Sequence, residues 1–422
     1  MSSPRAERAL DVLNVVLADV RYGLGPYAAI FLMTRYGWDE ASIAFAASFA
    51  GMTGLIAQTP IGALVDRVRS KRAVLACAVL VLAASCLMVV LLPRFWALAA
   101  AGVAGALAGS TIGTGLAAIS LSIVGPERFA RRAARNEALF HSGNAIVNLT
   151  ILSVAPFFGI AAVFWALAAA SLLSLGAIRA IPARAIDADL ARGLSPNAMG
   201  CKSKPSAWRT VLGCRPLLVF GVCGALFHFA NVSMIGLVVQ RLTRRHPADS
   251  VPLAAACMIA AQIVMVAIAS LSGSRADAWG RKPIFLSAFL VLALRGALYT
   301  VSDDPLWSIV VQLLDGVGVG VFGALFPVVI ADLVRGSGHF NAAQGGVGTI
   351  HSIGGILSAP AANLIVVWAG YDAAFATQAA VALAGAALFW LAMPETRPRQ
   401  AMRARFRRVP DSLSDGRTSP SG

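Results

Sequence analysis

Four ionisable residues sit inside long apolar runs of this chain: Asp19, Arg21, Arg295 and Asp315. A charge at the centre of a bilayer costs about 2.5–3.5 kcal/mol on insertion scales, so each implies a function or a partner. A carboxylate there can carry a proton or hold a cation; a guanidinium can hold an anion or neutralise a carboxylate. Asp19 and Arg21 are two residues apart, so on a helix they do not face each other and need different neighbours. Gly23, Gly25 and Pro26 follow at once and can break or kink the helix beside the charges. Asp19 therefore reads either as a proton carrier or cation site in a cavity, or as half of an Asp–Arg pair. Arg295 and Asp315 fall at similar depth in successive runs of opposite direction, which predicts an ion pair. His228 and Asn231 lie mid-run; the histidine could relay protons or make a packing hydrogen bond. Asn136, Glu137 and His141 open another run, in which His141, Asn144 and Asn148 make one polar stripe, and Gln344 and His351 sit on a later run, also at helical spacing. Such polar stripes serve as gating contacts or as interhelical hydrogen bonds.

Other chemistry finds no footing. There is no Walker A sequence, hydrolase triad or Cys–His nucleophile. The six cysteines, at 77, 86, 201, 214, 223 and 257, lack zinc-site spacing. They predict neither a metal site nor a disulfide framework. Gly318, Gly320 and Gly323 match a dinucleotide fingerprint, but no strand precedes them. The expectation is a protein that is not an enzyme and has no cofactor. Work would draw on an ion or substrate gradient, and intramembrane carboxylates favour protons.

The elements that hold these residues follow from composition. Of 422 residues, 58% are hydrophobic and 13% charged, with a mean hydropathy of +0.74; soluble domains carry about 25% charged. This excludes disorder, a coiled coil and an ordinary soluble enzyme, and predicts an all-α polytopic membrane protein. Twelve apolar runs are present: 10–33, 42–64, 73–92, 95–124, 139–156, 159–181, 216–239, 252–272, 283–301, 306–333, 342–368 and 373–393. They divide the chain into a short N-terminus (1–9), a six-helix unit (10–181), a polar linker (182–215), a second six-helix unit (216–393) and a basic tail (394–422). With the N-terminus inside, 28 Lys/Arg fall on cytoplasmic segments and 5 outside. The positive-inside rule then places both termini in the cytoplasm. The net charge of +15 reads as orientation and contact with anionic lipids, not as nucleic-acid binding.

The halves repeat. Gly62, Asp66, Arg67, Lys71 and Arg72 follow the second run; Gly273, Asp277, Gly280, Arg281 and Lys282 follow the eighth, with both Gly and Asp offset by 211. Asn136 and Asn341 are offset by 205, and the Gly109/Gly113 and Gly316/Gly320 pairs by 207. Internal duplication of six-helix units is the pattern of many secondary transporters. Glycine allows close helix approach, and Asp66 and Asp277 can accept from helix N-terminal amides or pair with a neighbouring Arg.

The loop pattern G-x-x-x-D-[RK]-x-G-[RK]-[RK] makes the chain resemble the major facilitator superfamily over about residues 10–395. Arg69 stands where that family usually has Gly, and Met393-Pro394-Glu395-Thr396 is similar to its stretch after the last span. The resemblance implies two pseudo-symmetric six-helix bundles and twelve transmembrane helices, with the two loops as a latch of the outward-facing state. It also implies a cavity lined by spans one, four, seven and ten. Asp315 is then the better substrate or proton candidate, and Arg295 its ion-pair partner. Two departures weaken a drug-antiporter reading: span four has no Arg, and 155–159 lacks the Gly-Pro-x-x-Gly-Gly stretch. Sugar-porter signatures are missing too. The expectation is a proton-coupled secondary transporter of a small solute, efflux preferred, a monomer in a bacterial inner membrane. Proton-symport uptake of an organic anion, with Arg21 as counter-charge, and a non-transporting sensor are the alternatives.

Overall fold

The computed structural model describes residues 4–18, 25–194, 207–246 and 249–397. Asp19 and Arg21 lie outside them. Helices α1 (Pro4–Val16) and α2 (Gly25–Tyr36) flank residues 19–24, and α2 opens on the Gly-Pro step, where proline's missing N–H is no loss. Then come α3 (Glu40–Arg67), α4 (Lys71–Leu91), α5 (Phe95–Val124), α6 (Phe129–Phe158) and α7 (Ala161–Ala180). A short segment follows with a 3-10 turn (Ala183–Ala185), α8 (Ala188–Ala191) and α9 (Ala207–Leu212). The second set is α10 (Arg215–Arg245), α11 (Ser250–Trp279), α12 (Arg281–Leu298), α13 (Pro305–Leu333) and α14 (Phe340–Ala392). No strand occurs among the described residues.

Side-chain caps fix several starts. Asp39 accepts from Ser42 N at 2.8 Å, Ser70 from Ala73 N at 3.4 Å and Asp304 from Trp307 N at 3.0 Å. Among the described residues eight helices are long and apolar enough to cross a membrane. One of them, α14, is 53 residues, about 80 Å at 1.5 Å per residue against a hydrocarbon core of about 30 Å. Gly370, at φ 85° and ψ 176°, breaks it into two segments. The polar-striped α6 and the basic α12 complete the set. With α1 and α2 as two parts of one crossing, it fits the expected twelve.

The helices form two bundles. α1 packs on α6 and α7, α3 on α5, and α4 on α5 and α7; in the second half α10 packs on α14, α11 on α13, and α12 on α13 and α14. Two seams join the halves: α3 against α14, and α6 against α11 and α13. Outward faces carry large apolar side chains, among them Phe157 at 83% and Trp368 at 81% exposed. Such faces suit lipid rather than water.

Candidate functional site

Arg295, fully buried on α12, is the centre of an interior polar network in the second half. Its Nη1 donates to Asp315 Oδ1 at 2.5 Å and to Asn231 Oδ1 at 2.7 Å. Gln312 Nε2 donates to the other oxygen of Asp315 at 3.1 Å, and the Tyr299 hydroxyl donates to Gln312 Oε1 at 2.5 Å. The guanidinium also lies 5.7 Å from the centre of the Tyr299 ring. One cation is thus held by a carboxylate from α13, an amide from α10 and the ring of Tyr299, the residue after α12. A buried charge is tolerable only with such partners. The structure brings together Asn231, Arg295 and Asp315; Tyr299 and Gln312 complete the set without having stood out in the sequence.

His228 and His351, read separately from different spans, stack on each other with ring centres 5.2 Å apart and planes 20° apart. His228 Nδ1 bonds the Gly224 carbonyl at 2.9 Å. Phe322 stands edge-on to both rings. No side chain fits at position 224, because an added Cβ would run into the His351 ring.

A cavity of about 230 Å³ opens between the halves. Asn14, Phe129, Asn136, Glu137 and Phe140 line it from the first half; Gly323, Phe326, Pro327 and Gln344 line it from the second. Glu137 contacts His141 Nε2 at 3.3 Å, and His141 Nδ1 meets Gln262 Oε1 of α11 at 2.8 Å. A chain of carboxylate, imidazole and amide therefore runs from the cavity across the α6–α11 seam. Glu137 and His141 stood out in the sequence as polar residues opening the α6 run; Gln262 gave no signal. Asn144 is buried on the same helix. Asn136 does not reach across the seam. It accepts from Asn14 Nδ2 (3.1 Å) and Arg132 Nε (2.8 Å) and donates to Ser120 Oγ (2.8 Å), all within the first half. It ties α1, α5 and α6 together.

The two repeated loops do different work. Asp66, 6% exposed at the end of α3, accepts from Asn341 N at 3.2 Å, Asn341 Nδ2 at 2.8 Å and Ala342 N at 2.9 Å. A carboxylate of one half thus caps the first turn of a helix of the other, where the helix dipole favours an anion. Lys71 is buried and donates to the Val65 and Val68 carbonyls. Arg67 is exposed, and Arg72 reaches the Arg179 carbonyl at 3.5 Å. In the second copy Asp277 pairs locally with Arg281 at 2.9 Å, and Arg281 also meets buried Asp332 at 3.2 Å. Glu395 accepts from the backbone N of Arg281 and Lys282 at 2.9 and 3.1 Å, capping α12. Lys282 Nζ donates to the Trp390 carbonyl at 2.6 Å. Gly280, at φ 95°, makes the turn.

The pairing of Asn136 with Asn341 as repeat equivalents is corrected. Asn341 is the second residue of α14, whereas Asn136 lies two turns into α6. The 211 offset of Gly62/Gly273 relates Phe129 to Phe340, which open the two helices and meet edge to face at 6.0 Å. The counterpart of Asn341 is then Ala130. A Cβ on Gly62 would strike the Asn341 carbonyl, and one on Gly273 would strike Ala134 beside the Ala130 carbonyl.

Further bonds close the α3–α14 seam: Gln58 Nε2 to Ser352 Oγ at 3.0 Å, Thr349 Oγ1 to the Leu55 carbonyl at 3.2 Å, and Thr59 against Thr349 at 3.3 Å. The inter-half segment joins in. Gly336 N and Phe340 N donate to the carbonyls of Gly193 (2.7 Å) and Arg192 (3.0 Å), and Asn341 Nδ2 to that of Ala191 (3.0 Å). All of these lie toward the basic loops. Farther along, Phe45, Met52 and Ile56 of α3 and Ile356 and Leu357 of α14 are more than half exposed. Among the described residues no cluster of His, Cys, Asp and Glu could hold a metal ion. Cys77, Cys86, Cys223 and Cys257 are free thiols, but Cys214 is disulfide-bonded. That corrects the expectation at this position, which caps α10 beside the polar linker rather than lying in an apolar run.

Two helical bundles, duplicated in sequence and lining a cavity at their seam, define a membrane transporter. The Major Facilitator Superfamily model matches residues 11–275 and 221–419, and the chain belongs to that family. It is 49% identical over 397 residues to an uncharacterized MFS-type transporter of Mycobacterium tuberculosis, found in strains CDC 1551 / Oshkosh and H37Rv. The match covers 93% of this chain and 94% of each relative. Its fold is similar to that of the proton:xylose symporter XylE bound to 6-bromo-6-deoxy-D-glucose. There the TM-score is 0.73 at 13% identity, covering 93% of this chain and 96% of that one. The human organic anion transporter MFSD10 (TETRAN) gives 0.66 at 17% identity, with 91% and 97% covered.

Proposed function

We propose that the protein is a proton-coupled secondary transporter that moves a small solute by alternating access, with export the preferred direction. The observation that carries this reading is the cavity between the halves, lined by Glu137; the α3–α14 bonds beside it lie toward the basic loops, whereas Phe45, Met52 and Ile356 farther along those helices are exposed. The 28-to-5 distribution of basic residues supports placing those loops and both termini in the cytoplasm. The conformation is then outward-facing, in a bacterial inner membrane, as the mycobacterial relatives also favour. Asp66 on the α14 N-terminus is the bond that must break for the inward-facing state. Glu137 and Asp315 are the carboxylates proposed to exchange protons, together with Asp19, which lies outside the described residues.

The test is proton flux in liposomes loaded with a pH dye, screened with pools of small solutes. Wild type should show substrate-driven proton movement whose sign gives the direction. Glu137→Gln or Asp315→Asn should abolish proton movement in at least one case. Substrate flux without a proton signal, unchanged in both variants, would sink the coupling. Absence of any flux would favour a transporter-like sensor instead.

A further inference from the structure

On the outer surface of the first bundle, α4 and α7 separate toward the basic loops and leave an open slot of about 390 Å³. Its floor is apolar: Ala73, Ala76 and Leu80 from α4 and Leu175 and Ile178 from α7. Its upper end is ringed by Ser70, Arg72 and Arg179. From Ser70 to Leu80 the slot runs about 15 Å along the helix, half of a 30 Å hydrocarbon core and so the depth of one leaflet. Around its lower end Leu80 is 49% and Leu173 75% exposed, so the slot opens to lipid rather than to the transport cavity. Arg179 is exposed; Arg72 holds the Arg179 carbonyl with Nη2 at 3.5 Å, while its buried Nε has no hydrogen-bond partner.

We propose that this slot binds an anionic phospholipid, with the phosphate on Arg72 and Arg179 and one acyl chain lying over Ala73, Ala76 and Leu80. Charge complementarity selects the occupant. Two guanidiniums at the polar end favour a headgroup with net negative charge, and guanidinium geometry matches phosphate oxygens. The small side chains Ala73 and Ala76 provide the depth an acyl chain needs. A lipid seated there would hold α4 to α7 by filling space that the protein leaves open.

The test is native mass spectrometry of the purified full chain with dioleoyl-phosphatidylglycerol or dioleoyl-phosphatidylcholine at equal concentration. Wild type should retain the anionic lipid about thirtyfold better, the expected effect of two basic residues near a phosphate. Arg72→Gln/Arg179→Gln should lose that preference. Ala76→Trp, which fills the slot without touching charge, should lose retention of the lipid and decides the matter if the double variant does not fold. Millimolar inorganic phosphate should not compete. Equal retention of both lipids, a preference surviving in the variants, or displacement by free phosphate each overturns the proposal. So does a dimer mass that disappears in Ala76→Trp, since the slot would then be covered by a second copy.

Discussion

Neither Arg295 nor Asp315 can be removed alone without stranding a charge. Breaking a buried pair costs about 3–5 kcal/mol, whereas replacing both partners with apolar residues is often neutral. Asp315→Asn and Arg295→Met should each lower the melting temperature in detergent, and Arg295→Met/Asp315→Leu should recover most of the loss. If that double variant also keeps proton-coupled flux, the pair is structural and Glu137 is left as the principal coupling candidate. If flux is lost while stability returns, the pair takes part in transport. The two charges were legible in the sequence because an ionisable residue in an apolar run stands out, and helix direction gave their depth. Tyr299 and Gln312 were not, since a neutral polar residue near a span end carries no such signal. Gly224 is a further test at this scale. Gly224→Ala should displace the His351 ring and cost about 1–3 kcal/mol as overpacking, read as a drop in melting temperature.

At the scale of elements, the first repeated loop is an N-cap supplied across the seam. Asp66→Asn keeps the shape and removes the charge from the α14 terminus. The amide nitrogen cannot accept, so at least one of the bonds from Asn341 and Ala342 is lost, about 0.5–1.5 kcal/mol, here only in the state closed toward the basic loops, so the population should shift several-fold to the state open there. Gly62→Ala should shift it further, because its Cβ would meet the backbone of Asn341. Spin labels at the exposed positions 131 and 275 should report a longer separation in both variants, while Gly176→Ala, which faces open space, should leave it unchanged. Unchanged distances in Asp66→Asn would show that the cap does not hold the seam. The glycines and aspartates of both loops were visible from their 211 offset. That one aspartate crosses the seam while the other pairs with Arg281 was not visible, because it depends on partners more than fifty residues away, Asn341 and Asp332.

For the whole molecule, the duplication and the all-helical membrane fold were legible from apolar runs and repeated motifs. The cavity was less so, because its wall at Glu137, Gly323 and Gln344 comes from spans far apart in sequence. The α10–α14 bundle and the α1–α7 bundle also meet through the segment between them, whose carbonyls at 192 and 193 hold the amides of Phe340 and Gly336. These two N–H groups are shielded only while the halves are closed over them. Each excursion to the opposite state exposes them to solvent, where they can trade hydrogen for deuterium. Isotope uptake at Gly336 and Phe340 should therefore count excursions in unlabelled, substrate-free protein. It should accelerate in Asp66→Asn and slow when a ligand favours the conformation described above. Uptake indifferent to both would mean that the segment follows the second bundle through the cycle as one body.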